Sequence, residues 1–546
     1  MTLEQDPRHG PAFRSVFLVA LGLTALAAGS FLASSAAGPG HALRGLPLDD
    51  AWIHLVYARS IAEGQPFQYN PGEWETGSTS PLWALLLAVP LLLGAGPVVA
   101  AKALGVLFTA SAATAGHALL RRLGAPGSGL ALAVTLCVVP YFTFASVSGT
   151  EVALFVALVL LAFERFLTGR LTAAGVATGL AILARPEAYL LLPLLVLACL
   201  ADPRPAGAGQ ARALSARLLD ALRVAGIAAA TAAPWVLYCL AASGRPFPAT
   251  FYAKATPHSP FSTEQWGKVV AFLAVQPFSG SALPTVAAVA AGALLGAPLW
   301  LAGLMRLRRA GWSAFVLVGL SGPLFLAGLV VTLPLGWIGR ADEPGSLLNF
   351  YNARYLLPAL APLLATQLLG LAEFAERSRA WTGVAAAPVV VGVALLALPL
   401  VSAVYGHAQL RAVYSWNCQN IEAMQVAAGR WIDRNLPAGA RVAASDAGAV
   451  RWFGRRAVVD LNGLNAHRLL PRIRALYAAP EGSAEERDLL RRLIAETRVD
   501  HAAILAGRHP WLRDAQVVPP LVLFDLAHNT ICGSDRLGVL ALRPPR

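Results

Sequence analysis

Two adjacent carboxylates, Asp49 and Asp50, open the stretch LPLDDAWIHLVYARSIAEGQPFQYNPGE, residues 46–73, directly after the first long apolar run. A carboxylate within reach of a hydroxyl can act as a general base. Two acids this close raise one pKa, which suits that task. The same pair is a candidate to hold a divalent cation such as Mg, Mn or Ca. It would also serve as an N-cap and first-turn acid for a helix starting at DAWIHLVYARSIAEG, where the helix dipole favours negative charge. Both readings can hold together, one acid capping while its neighbour faces a cavity. His54 lies four residues after Asp50 on the same helical face and can contact it, or can pack at an interface. Arg59, nine residues on, falls almost opposite.

Other charged residues sit at the ends of apolar runs. Arg185 and Glu187 flank Pro186, and Glu151 occupies a similar turn in SGTEVALF. Charges at membrane depth are costly and face cavities, although a mutual salt bridge at a turn would also account for them. Lys254, in TFYAKATPH, is one of only three lysines among 43 basic residues, and a solitary Lys suits a point contact to phosphate, although a loop Lys is more often merely solvated. Arg354 follows NFYN and either snorkels to the interface or meets a lipid phosphate. Tyr252, Asn349, Tyr351 and Asn352 place hydroxyl and amide groups beside these two cations. No phosphate-cradling glycine loop, Ser–His–Asp arrangement or nucleic-acid motif occurs.

These residues are positioned by a very apolar chain of 546 residues, 56% hydrophobic and 13% charged, with mean hydropathy +0.58. Soluble domains carry about 25% charged residues. Repeated apolar stretches of spanning length make this an α-helical polytopic membrane protein. The net charge of +13 does not indicate a nucleic-acid partner, because the basic residues are scattered at the ends of apolar runs. Eleven spans are expected, at 14–36, 98–120, 129–147, 152–167, 172–184, 187–201, 219–242, 282–304, 312–337, 355–372 and 381–404. The start resembles a signal peptide in its basic residues and small-residue tail, yet its apolar stretch is long enough for a retained first helix.

With the N-terminus in the cytoplasm, the inner loops collect Arg121, Arg122, Arg165, Arg170, Arg204, Arg212, Arg217, the RLRR of 306–309, Arg377 and Arg379. The positive-inside rule selects this orientation. SPLWALLLAVPLLLGAG (80–96) is short, contains Pro90 and reads as an interfacial or re-entrant segment. Residues 1–404 thus form a membrane domain with a large first outer loop at 37–97. Residues 405–546 switch to soluble composition. IEAMQVAAGRWIDRNL and AEERDLLRRLIAE read as helices, and ARVAAS, RAVVDL, HAAILA, LVLFDLA and LGVLAL as strands, an α/β or α+β extracytoplasmic domain. Cys137, Cys199 and Cys239 fall in apolar runs as small core residues. Cys418 and Cys532 bracket the last domain, where an oxidising compartment favours a disulfide between them.

No nucleotide is available at the outer face, so an enzyme there needs a donor that the membrane supplies, and polyprenyl-phosphate sugars meet that need. Transfer from them requires a base for the acceptor hydroxyl and cations for the departing phosphate. The stretch LDDAWIHLVYARSIAEGQPFQYNPGEWETGSTSPLW resembles the first outer loop of the C-type superfamily of membrane glycosyltransferases, especially its bacterial cell-wall arabinofuranosyltransferase branch. SGTEVALF, LARPEA, PATFYAKA, NFYNARYLLPALAP and GARVAASDAGAVRWFGRRAVVDLNGLN follow in the same order as in that superfamily.

The resemblance implies that one of Asp49 and Asp50, with Asp50 preferred, is the catalytic base. It implies that Lys254 and Arg354, with Arg185 as a further cation, meet the donor phosphate. His54, Glu151, Glu187, Tyr252, Asn349, Tyr351 and Asn352 are then substrate-binding candidates. The implied reaction is an inverting transfer to a cell-envelope glycan, lipid or protein at the bacterial inner membrane. A lipid-linked-sugar flippase and a non-catalytic envelope scaffold are the rival classes. The first is disfavoured by ionisable residues gathered at the outer rim and by the lack of an internal repeat.

Overall fold

The computed structural model describes residues 10–201, 213–254, 258–275, 285–333, 335, 343, 349–384, 404, 406–480, 483–506 and 520–542. Helices dominate it. Among the described residues, five are long and apolar enough to cross a membrane: Phe13–Leu32, Pro97–Arg122, Leu214–Ser243, Trp312–Thr332 and Phe350–Thr382. The helices Pro126–Val138 and Pro140–Val147 are together apolar enough for one further crossing or a re-entrant loop, bent by 55° where Pro140 cannot continue the backbone ladder. The helices Val152–Leu167, Leu171–Ala184, Leu191–Ala201 and Thr285–Ala310 cover further expected spans. The span expected at 381–404 falls largely outside the described residues. Pro81–Leu92 is a helix of only about 18 Å, well short of the roughly 30 Å hydrocarbon layer, as its sequence suggests.

Close helix packing explains part of the small-residue content. The helices Thr285–Ala310 and Phe350–Thr382 meet so tightly that a Cβ on Gly303 would lie 1.9 Å from the Thr366 carbonyl oxygen. One on Gly370 would lie 1.8 Å from that of Leu299. Only glycine permits such backbone contact, a device common between membrane helices.

The two ends of the bundle differ. At one end Arg309 and Arg377 converge on Glu373, while Arg306 pairs with Glu376. The other end is capped by the long first loop and the C-terminal region. The loop contains the helix Asp49–Ala62 and a small hairpin of β1 (Gln68–Asn70) and β2 (Glu73–Trp74). The C-terminal sheet comprises β3 (Arg441–Ala444), β4 (Ala457–Asp460), β5 (His501–Leu505), β6 (Val522–Asp525) and β7 (Arg536–Ala541), in the order β4-β3-β5-β7-β6. β3 is parallel to β4 and β5, and β7 is antiparallel to β5 and β6. All five strands and both helices expected from the pattern are present.

The loop and the sheet region are bonded together. Asn70 behaves as an extra edge partner for β4, donating to the Val458 carbonyl and accepting from its amide, each at 2.9 Å. Tyr57 donates to Asn465 and Tyr69 to the Ala447 carbonyl. The residues before the sheet dock the bundle in turn, with the Tyr414 hydroxyl on the Val147 carbonyl at 2.9 Å.

Candidate active site

A cavity of about 290 Å³ lies beneath this cap. Five segments bring its ionic groups. The first two turns of Asp49–Ala62 bring Asp50 and His54, and the turn before Val152–Leu167 brings Glu151. The 3₁₀ turn Pro186–Leu190 and its N-cap bring Arg185 and Glu187, the short helix Ala249–Lys254 brings Lys254, and the start of Phe350–Thr382 brings Arg354. Phe247, Phe251, Phe325, Leu329 and Leu333 add apolar lining. The cavity therefore combines ionic groups with lining fit for hydrocarbon.

Among the ionic groups, Asp50 Oδ2 accepts from Arg354 Nη2 at 2.7 Å and from Lys254 Nζ at 3.4 Å. Among the described residues nothing is bonded to Oδ1. Burial alone would raise the Asp50 pKa, but Lys254 and Arg354 outweigh it and hold the carboxyl below its ordinary value. Asp50 in return raises Lys254 against the opposing effect of burial. The Tyr355 hydroxyl joins the cluster, accepting from Arg354 at 3.0 Å and lying 3.4 Å from Lys254. Arg354 is buried, with its guanidinium over the rings of Tyr351 and Tyr355.

A second ionic group stands beside the first. Arg185 Nη1 donates to Glu151 at 2.7 Å and Nη2 to Glu187 at 2.5 Å. His54 Nε2 lies 3.1 Å from the other Glu151 oxygen. Burial would raise Glu151, but Arg185 and the His54 bond lower it to about 2. Arg185 is thus saturated by carboxylates, whereas Arg354 and Lys254 bring two positive charges to the single charge of Asp50. Phosphate would find its attraction there.

Asp49 turns away from the cavity. Its carboxylate accepts from the amides of Gly448 at 2.8 Å and Ala449 at 2.7 Å, at the start of the helix Ala447–Gly454. That helix's own N-cap residue, Asp446, makes no capping bond. Asp49 supplies two, from 399 and 400 positions away, and a Cβ on Gly448 would fall 2.3 Å from the Asp49 carbonyl oxygen. Burial and Asp446 push the Asp49 pKa up, against the two amide donors.

Comparison with known proteins fits this architecture. A family described as a domain of unknown function, DUF8728, matches residues 416–532. No curated protein sequence matches the chain. The structure of ArnT from Cupriavidus metallidurans bound to undecaprenyl phosphate superposes with TM-score 0.53 at 15% identity, covering 97% of this chain and 98% of that one. The archaeal oligosaccharyltransferase AglB from Archaeoglobus fulgidus, in complex with an inhibitory peptide and a dolichol-phosphate, gives 0.54 at 13% identity, covering 90% and 69%. Arabinofuranosyltransferase AftD from mycobacteria gives 0.43 at 15% identity, covering 97% and 40%.

The chain has the C-type glycosyltransferase fold.

Within this fold the structure gathers Asp50, His54, Glu151, Arg185, Glu187, Lys254 and Arg354 around one cavity. It does not bring the other candidates there. Asn349 caps the helix Phe350–Thr382, accepting from the Tyr351 amide and donating to the Thr530 carbonyl. Asn352 is buried on that helix, Tyr351 packs against Arg354 at the rim, and Tyr252 faces a neighbouring cleft. Tyr355, Thr79, Thr150 and Thr250 line the cavity without having been singled out. Tyr355 carried a signal, since it follows Arg354 and lies one helical turn beyond Tyr351.

One acid of the pair is raised, as expected, but it is Asp49, chiefly through burial and Asp446 with Asp50 a smaller cause, while Asp50 is lowered because cations dominate its surroundings. One expectation needs correction. The Cys418–Cys532 disulfide is absent, and both thiols are free and buried. Cys418 packs beside Gly45 and Tyr414. Cys532 bonds Gln425, seven residues and about 10 Å along the same helical segment. A disulfide needs Cα atoms within about 7 Å.

A divalent cation does not fit the acids present. Both Asp49 oxygens accept amides, and Asp50 faces two cations. No group of three metal-ligating His, Cys, Asp or Glu occurs among the described residues.

Proposed function

We propose that this protein transfers a sugar from a polyprenyl-phosphate donor to a hydroxyl of a cell-envelope glycan, lipid or protein. The observation that carries this reading is one carboxylate, Asp50, facing two cations, Lys254 and Arg354, in a cavity that also has apolar lining. The lipid phosphates in the ArnT and AglB structures are ligands of the same chemical kind.

In this mechanism the polyprenyl chain lies against Phe247, Phe251, Phe325 and Leu329 while the phosphate meets Arg354 and Lys254. Asp50 Oδ1 accepts the proton of the acceptor hydroxyl as its oxygen bonds the anomeric carbon. The bond from that carbon to the phosphate oxygen breaks on the opposite face, its electron pair leaves with the phosphate, and the configuration inverts. Before donor arrival Asp50 is a weak base, since its charge is satisfied. Phosphate draws Arg354 and Lys254 toward itself and frees Asp50 to take a proton. Glu151, Glu187 and Arg185 hold the frame, with His54 fixed by Glu151.

The proposed setting is the bacterial inner membrane, with the N-terminus cytoplasmic and the sheet region outside. Supporting it, Arg306, Arg309 and Arg377 cluster at the bundle end opposite the sheet. The test is transfer from a panel of radiolabelled polyprenyl-phosphate pentoses and hexoses to membrane extract. Transfer by wild type and none by folded Asp50→Asn supports the reading, and equal transfer by both removes Asp50 as the base.

A further inference from the structure

A second cavity backs onto the first across a single short helix. In Ala249–Lys254, Thr250, Phe251 and Lys254 line the catalytic cavity, while Ala249 and Tyr252 line a separate cleft of about 270 Å³. The remaining walls are Thr76 of the first loop, the end of the helix Leu214–Ser243 and the turn at 467–471 of the sheet region.

This cleft is cationic. Arg245 and Arg468 line it, and Arg474 reaches its edge by donating to the Tyr252 carbonyl. The Arg245 guanidinium lies 4.9 Å from the centre of the Tyr252 ring. Among the described residues, none of the three arginines pairs with a carboxylate. The nearby acid, Glu75, is buried and engaged, because Oε2 accepts from both His467 Nδ1 at 2.7 Å and the His467 amide at 3.0 Å. His467 thereby keeps Nε2 as its one ring nitrogen for a ligand. One guanidinium over an aromatic ring with two more nearby, a fixed imidazole and no competing acid make a receptor for an oxyanion on a sugar.

We infer that this cleft holds an anionic group, carboxylate or phosphate, carried by the acceptor. The inference rests on the glycosyl-transfer reading. An acceptor anchored there places its reacting hydroxyl about one helix diameter away, roughly 10 Å, on the Asp50 side of Ala249–Lys254. Tyr252, which does not face the catalytic cavity, would then bind sugar from the cleft.

The experiment is isothermal titration of the full chain in nanodiscs with galactotriose, trigalacturonate and inorganic phosphate, the last also as a competitor. Expected are tighter binding of trigalacturonate than galactotriose, and a loss of about ten-fold for trigalacturonate in Arg245→Gln/Arg468→Gln. Phosphate displacing trigalacturonate identifies a site for either oxyanion, and failure to displace identifies a carboxylate site. Undecaprenyl phosphate binding should be unchanged in the double variant, which also reports that it is folded. Equal binding of the two trisaccharides, or no loss in a folded double variant, overturns the inference. Undecaprenyl phosphate failing to bind wild type while trigalacturonate binds would instead remove the polyprenyl-phosphate reading and leave the cleft standing.

Discussion

Arg354 and Asp50 are 304 positions apart in the chain and 2.7 Å apart in space. The contact closes the capped end of the bundle, since it ties the first loop to the start of the helix Phe350–Thr382. Arg354 lies in the opening turns of that helix, where the dipole also favours an anion. Whatever anion occupies this point, carboxylate or phosphate, meets a guanidinium already oriented by two tyrosine rings.

The two neighbouring acids should separate by experiment. Asp50→Asn is expected to lower kcat by roughly 10²–10⁴-fold, the usual effect of losing a general base, with little change in thermal unfolding. Asp49→Ala should do the reverse, costing about 2 kcal/mol of stability through two unmade amide bonds while transfer persists. Transfer assays beside melting curves of both variants decide it. Loss of transfer in a stable Asp49 variant would move the base.

The helical fold and the sheet strands were legible because apolar runs, long for helices and short between turns for strands, are local signals. Lys254 and Arg354 were also legible, one as a rare lysine and one beside a polar NFYN turn. The separate tasks of Asp49 and Asp50 were not. Asp49's partner is the amide pair of a helix beginning at Ala447, and no local pattern reports a cap supplied from so far away. Tyr252 and Asn349 carry suitable groups at suitable turns, but cleft walls and helix caps use the same groups. The expected disulfide failed for a related reason. Compartment chemistry says when two thiols would join, not whether the fold brings them together.

The five cysteines should therefore behave as free thiols. Alkylation of the protein under denaturing, non-reducing conditions is expected to label Cys418 and Cys532 as fully as Cys137, Cys199 and Cys239. Reductant should leave the melting temperature unchanged. Mass spectrometry showing a linked Cys418–Cys532 peptide would contradict the packing beside Gly45 and Gln425.

Transfer should proceed without a divalent cation. A metal beside Asp50 would sit against Lys254 and Arg354, and at such short range like charges repel strongly in a site shielded from water. Rates measured after EDTA treatment, and again with added Mg, Mn or Ca, are expected to agree. A requirement restored by one ion would show that the acids rearrange when substrate binds.

The pH dependence tests the proposed activation of Asp50. Its pKa is depressed by Lys254 and Arg354 despite burial, so its ionised form is favoured in the folded protein. The associated stability is complete above the unfolded carboxylate value of about 4 and is lost only as pH falls through the lower folded value. In kcat/KM, which reports free enzyme, the acid limb from Asp50 should lie below about pH 4. Glu151, lowered to about 2, adds no limb above it. In kcat, which reports the donor complex, phosphate competes for both cations and the limb should move to higher pH. Lys254→Ala removes one of the lowering charges, so its kcat/KM limb should rise toward the kcat limb of wild type. Profiles of kcat and kcat/KM for both proteins supply the comparison. Coincident acid limbs in wild type would mean that donor binding leaves the cations on Asp50, and the activation step would fall.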